Sequence, residues 1–203
     1  MKAFLSITVP LVFCLLIASC TTSSVNPLAS PKVCQADPRL VGDWHGGTGS
    51  DQSTCHFTIT KAPWMHVDIV PDHPDSKSKI NRTPESYDFF PTVIGKNTFL
   101  NVVQRDENDH AKSYLFIRYK ISGNRLRLWL MSQQLPAAAI RAGKLKGLVS
   151  PDGVDIAQKP APDIDVTLND SSENIVKFIQ ASNLDRLFDT PMTPFYRVKP
   201  AGK

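Results

Sequence analysis

The sequence predicts a mainly β protein: an antiparallel meander that closes into a barrel or forms a strongly curved sheet, with one C-terminal α-helix packed on it. Three observations carry this. From about residue 39 to 132, apolar and polar residues alternate in short successive runs, the period-two pattern of half-buried strands. Turn-forming residues such as Gly95-Lys96-Asn97 and Gly123-Asn124 separate those runs. Helical periodicity is confined to the chain after residue 135.

At the N-terminus, Lys2 precedes an apolar stretch from Ala3 to Ala18, which ends in Ile17-Ala18-Ser19-Cys20. That stretch is too short and too close to the start to read as a membrane span, and its layout is that of a secretory signal peptide. An aliphatic residue and two small residues directly before a cysteine resemble a bacterial lipobox. The resemblance implies export, cleavage before Cys20, and attachment of diacylglycerol and a further acyl chain such as palmitate to Cys20. Thr21 rather than Asp follows the cysteine, which by the same resemblance points to an outer-membrane lipoprotein of the bacterial envelope rather than an inner-membrane one. The expected organisation is a signal peptide at 1–19, a lipidated N-terminus and flexible tether at 20–36, rich in Ser, Thr and Pro, and a single β-rich domain at 37–203. The membrane is the first expected partner.

The chain holds four cysteines among its 203 residues. Cys14 leaves with the signal peptide and Cys20 is the lipid site, so Cys34 and Cys55 remain. In an oxidising compartment these two are expected to form a disulfide, closing a loop of about 20 residues worth roughly 3 kcal/mol, the alternative being two separate free thiols. The formal net charge of +4 is small and dispersed, so it gives no reason to expect nucleic acid as a partner.

The elements follow in order. Residues 53–60 and 64–70 form a hairpin in which Phe57 faces Val67, Ile59 faces Met65 and Cys55 faces Ile69 on one apolar face. The other face sets His56 opposite Asp68 and Thr58 opposite His66. Residues 71–85 read as a polar, Pro-rich loop. Ser86–Ile94 and Thr98–Gln104 are two further strands, with Pro91 demanding an edge or a bulge. Residues 112–122 and 125–132 form a hairpin that pairs Ile121 with Leu126, Tyr119 with Leu128 and Ile117 with Leu130. Its reverse face carries Arg118 opposite Trp129 and an apolar end at Phe116 and Met131, which something must cover. A short helix runs from Pro136 to Ala142 and stops at Gly143. Residues 150–162 are loop and 164–168 a strand. Asp170-Ser171-Ser172-Glu173 resembles a capping box opening a helix to about Ser182, with Ile175, Phe178 and Ile179 on one stripe. Phe195–Lys199 is a final short strand.

Leu40-Val41-Gly42-Asp43-Trp44 resembles the Gly-x-Trp element at the start of the lipocalin (calycin) domain. The resemblance covers about residues 39–132. It implies an eight-stranded barrel in which Trp44 plugs the closed end, Gly42 permits a close approach beneath it, Phe195-Tyr196-Arg197 pairs with the first strand, and Arg197 lies near Trp44. The chain departs from the family in lacking a Thr-Asp-Tyr element and in placing a helix before the last strand. A curved α+β sheet is the competing architecture.

Such a barrel binds a small apolar or amphipathic ligand within its wall, and Trp44, Phe57, Met65, Val67, Phe99, Tyr119, Leu128 and Leu130 are the candidate lining. The alternative is an adaptor or inhibitor with a filled interior, which binds another envelope protein through the Phe116/Trp129/Met131 face or an edge strand. No catalytic constellation is expected. Gly47-Thr48-Gly49-Ser50-Asp51 lacks the nucleophile-elbow pattern and the Lys-Ser/Thr of a phosphate loop. His56, His66 and Asp68, with Asp72, His73 and Asp75 nearby, read as surface cross-strand pairs rather than metal ligands. No cofactor is expected. Arg141, Lys144 and Lys146 form a locally basic stretch that could touch anionic headgroups or lipopolysaccharide phosphates, but three charges are few and it reads as a solvated loop face.

Overall fold

In the computed structural model of the protein, the described residues are 22–48, 52–72, 84–105, 108, 110–151 and 164–199. The signal segment with Cys20, most of the 71–85 loop with His73 and Asp75, residues 49–51 and residues 152–163 lie outside them.

The strands, in chain order, are β1 (Thr22–Ser24), β2 (Gly42–Gly46), β3 (Ser53–Lys61), β4 (Trp64–Pro71), β5 (Glu85–Ile94), β6 (Asn97–Arg105), β7 (Ala111–Ser122), β8 (Arg125–Leu130), β9 (Gly147–Ser150), β10 (Asp165–Leu168), β11 (Thr190–Pro191) and β12 (Phe195–Arg197). Helices α1 (Gln134–Arg141), α2 (Ser172–Ala181) and α3 (Leu184–Leu187) lie among the later strands. Strands β2 to β8 pair consecutively and antiparallel. β12 then bonds to both β8 and β2, and the sheet closes into an eight-stranded barrel. An eight-stranded antiparallel barrel is consistent with the lipocalin-like fold that the Gly-x-Trp segment implied. Closure removes the edges that a curved open sheet would leave.

The register follows the alternation. Cys55 pairs with Ile69, Phe57 with Val67 and Ile59 with Met65, and beyond a bulge Trp64 meets Lys61. The β7–β8 ladder places Ile117, Tyr119 and Ile121 opposite Leu130, Leu128 and Leu126. Pro91 is tolerated because β4 stops pairing at Met65–Phe89, so its missing N–H falls where β5 has a free side.

Among the described residues the two larger cores lie one on each side of the wall, and a small third cluster joins Ala137, Ile164 and Val166. Inside are Leu40, Trp44, Cys55, Phe57, Met65, Val67, Phe89, Leu100, Val102, Leu115, Tyr119, Leu126, Leu128 and Phe195. Outside, Phe99 and Phe116 of the wall and Met131 just past β8 pack against Ile175 and Ile179 of α2 and against Leu187 and Phe188 at α3, with the Phe99 and Phe188 ring centroids 5.3 Å apart. This is what covers the apolar reverse face of the second hairpin. Arg118 lies over the Trp129 ring at 5.4 Å. The cap of α2 differs by one residue from the capping-box reading. Ser171 accepts from the Asn174 N–H, while the Asp170 carboxylate is taken up by the N–H groups of Lys146 and Ser171 and by the Asn174 amide.

Residues 22–36 are not a free tether. β1 pairs antiparallel with β7 and parallel with β10, and Thr22 and Ser24 are fully buried. The chain then straps across the outer wall. The Leu28 N–H donates to Asn101 Oδ1 at 2.8 Å, and the Asn101 amide donates to Phe90 O and Thr92 Oγ1. Short polar side chains read as linker in sequence, yet here they complete a ladder and cap buried carbonyls: Thr22 Oγ1 donates to Ser132 O.

The expected disulfide is absent, and Cys34 and Cys55 are both free thiols. The wall separates them. Cys55 points into the barrel, where burial pushes its thiol pKa up to about 12. Cys34 follows a 3-10 turn (Pro31–Val33) on the strap, with its sulfur 3.5 Å from the outward-facing Thr92 hydroxyl.

Candidate functional site

The two ends of the barrel differ. At one end the strap passes beneath the wall and closes it. Leu40 and Trp44 have no exposed surface, and the Trp44 indole N–H donates to Leu40 O at 2.7 Å. The Arg197 guanidinium lies 4.2 Å from the Trp44 ring centre and donates to the carbonyls of Val41 and Arg39. Gly42 adopts φ +112°, a backbone conformation that L side chains rarely take, and a Cβ there would also stand 3.2 Å from Arg197 Nη1. Asp37 completes the plug by accepting from Arg39 and from the Tyr119 hydroxyl at 2.8 Å. Burial opposes its ionisation, but the Arg39 and Tyr119 bonds prevail and hold the carboxyl below its usual range.

At the other end the interior loosens. Met65 and Leu126 beside the plug are completely covered, whereas Val67, Val102, Leu128 and Leu130 each keep 7–8% of their surface accessible, and Ile69, Tyr87, Ile117 and Met192 are only partly buried. Alternation brings polar side chains inward at this rim. The Tyr87 hydroxyl donates to Glu85 Oε2 at 2.7 Å, and the Ser113 hydroxyl donates to Gln104 Oε1 at 2.6 Å. The β5–β6 ladder ends at Phe89–Val102, short of both strand ends. Beyond it Arg105 Nη2 reaches across the seam to Asp88 Oδ2 at 2.8 Å, and Asp88 Oδ1 meets His66 Nδ1 at 2.8 Å across the β4–β5 ladder. The Asp88 hydrogen bond, against some desolvation and with help from Asp68, raises the His66 pKa.

The structure brings Trp44, Phe57, Met65, Val67, Tyr119 and Leu128 together inside the wall, and Leu130 continues their row on β8. Phe99 is a correction: it lies on the outward face of β6, one residue out of phase with Leu100 and Val102, and belongs to the outer core under α3. Trp44 and Tyr119 serve the plug rather than a free lining. The rim residues Glu85, Tyr87, Gln104 and Ser113 were absent from the sequence reading. The signal that finds them is the period of two, extended past Phe89 and Val102 to the strand ends. The Phe116/Trp129/Met131 face proposed for an adaptor is not an open surface, because α2 and α3 occupy it.

His56 hydrogen-bonds Asp43, and His45 hydrogen-bonds Asp72. Among the described residues no three His, Cys, Asp or Glu side chains are grouped to hold a metal ion. No helix among them is long and apolar enough to cross a membrane. An open groove of about 750 Å³ lies between the strap and the β3–β4 turn, with Lys32, Cys34, Lys61 and Trp64 on its walls. It is outside the barrel, and its lining of prolines and long side chains converges no set of polar groups.

No family, no curated protein and no solved structure matches this chain.

Proposed function

We propose that the protein is an exported envelope lipoprotein, anchored through Cys20, that binds a small amphipathic molecule in the open half of its barrel without catalysis. The observation that supports this reading is the contrast between the closed plug at Trp44 and Arg197 and the only partly buried Ile69, Tyr87, Ile117 and Met192 toward the polar rim. The filled lower half limits the ligand to a short apolar tail. Each Å² of tail buried contributes about 25 cal/mol, and Glu85, Tyr87, Gln104 and Ser113 orient the polar head.

The test is native mass spectrometry of the mature chain, produced in a bacterial periplasm with Cys20→Ser. A discrete added mass that organic solvent releases, and that Leu128→Trp eliminates while preserving the unfolding transition, is the expected result. A folded chain that carries no added mass, and whose stability does not respond to medium-chain amphiphiles, overturns the carrier reading.

A further inference from the structure

The point at which the chain leaves the body fixes how the body meets its membrane, given the lipoprotein reading above. Thr22 is only 1% exposed and is the first residue of a paired strand. Cys20 lies two residues earlier, a reach of about 7 Å in extended chain. An acyl anchor there leaves no slack for the body to stand away from the bilayer.

The surface around that exit is a three-stranded ribbon outside the barrel. β1 pairs with β10, and β10 with β9, so that Ser23, Thr167 and Leu148 stand side by side. Two strand spacings place β9 about 10 Å from β1. Leu148 is 70% exposed on this face, and Val25, directly after β1, is 46% exposed. The turn that leads into β9 carries Arg141, Lys144 and Lys146, all exposed. Among the described residues none of the three forms a salt bridge, although the Lys146 backbone N–H donates to the Asp170 carboxylate and the Lys146 charge helps hold that carboxylate ionised. Asp165, the exposed acid of these strands, lies beside the exit at Thr22, and the basic turn lies at the other end of the ribbon, next to Leu168 and Ser24.

We infer that the β1–β10–β9 ribbon and the Arg141–Lys146 turn form a membrane-docking face for an anionic phospholipid leaflet. Leu148 enters the headgroup boundary and the three cations lie over lipid phosphates. The short leash makes this face, rather than the barrel rim, the contact surface. Cations near such a surface are drawn to its phosphates, an attraction that falls off within about a Debye length.

The experiment uses the lipidated mature chain in vesicles of phosphatidylethanolamine and phosphatidylglycerol. A single fluorophore is attached at Leu148→Cys or, as reference, at Val93→Cys, both in a Cys34→Ser background. Val93 is 68% exposed at the plugged end of the barrel. Lipid-borne quenchers are expected to quench the label at 148 several-fold more than the label at 93, and Arg141→Glu with Lys144→Glu is expected to at least halve that difference. Equal quenching at the two sites, on a chain whose mass shows the acyl groups, overturns the docking face and leaves the lipoprotein reading intact. A mature chain without acyl mass overturns both.

Discussion

Removing the side chain that ties the strap to the barrel wall tests the account of residues 22–36 most directly. Asn101 has no exposed surface, and its amide meets three partners: Leu28 N–H at 2.8 Å, Phe90 O at 3.1 Å and Thr92 Oγ1 at 2.8 Å. Asn101→Leu keeps about the same volume and removes all three bonds. The Leu28 amide is then stranded, because Leu28 is 3% exposed and water does not reach it. A buried donor left without an acceptor costs about 1–3 kcal/mol. The Thr92 hydroxyl loses its donor as well, and the added apolar surface offsets part of the loss. The expected net destabilisation is about 3 kcal/mol, a fall in Tm of roughly 9 °C for a domain of this size. The assay is urea and thermal unfolding followed by circular dichroism, with hydrogen exchange at the Leu28 amide read in parallel. Adding Thr92→Val to Asn101→Leu should cost less than Thr92→Val alone, since the bond between them is already gone. A loss below about 1 kcal/mol with Leu28 still protected would refute the reasoning, because the strap would then be held by something other than Asn101.

Three further outcomes follow from the geometry. Gly46→Ala should destabilise by about 1–3 kcal/mol, since the new Cβ would stand 2.6 Å from the Phe195 ring and 2.9 Å from Pro194 O at the closing seam; an unchanged urea midpoint would contradict that seam. Alkylation read by mass should label Cys34 in the native state and Cys55 only after unfolding, whereas a mass two daltons low with neither site labelled would restore the disulfide. His66 has its folded pKa raised above 6.5, so its contribution is complete below that value and is lost as the pH rises through the folded pKa. The stability difference between the protein and His66→Gln should therefore shrink from pH 6 to pH 8.5, and a difference that grows with pH would show the sign to be wrong.

Much of the barrel was legible because its strands obey a strict period of two. Once Phe57 faces Val67 and Tyr119 faces Leu128, each ladder has one register that buries the apolar set. The closing pair was legible only through the likeness of Leu40–Trp44 to a known family, since nothing local in Phe195-Tyr196-Arg197 names a partner so distant in sequence. Alternation failed where both faces are covered. Phe99 and Leu100 are both buried, so hydrophobicity alone does not say which of them points inward. It also failed for β1, where Thr22-Ser23-Ser24 has the composition of a linker. Such short strands are decided by the carbonyls and amides waiting on β7 and β10, not by their own side chains. The open end was half visible: Val67, Leu128 and Leu130 were named, while the rim groups at Glu85, Tyr87, Gln104 and Ser113 lay at strand ends, where boundaries read from pattern are least secure.

The way the barrel closes has a consequence for how the protein is made. β2 is among the first strands to emerge, yet its second neighbour, β12, arrives only after α1, α2 and α3 have been synthesised. Until Phe195 to Arg197 are available, β2 and β8 present unpaired backbone along two open edges, the surfaces on which β proteins pair with one another by mistake. The hoop is fastened by a late clasp, and the same Arg197 that clasps it also locks Trp44 into the plug. Burial of that indole therefore reports that the hoop is fastened, and a chain cut short before residue 195 would be marked for quality-control proteases by the edges it leaves bare.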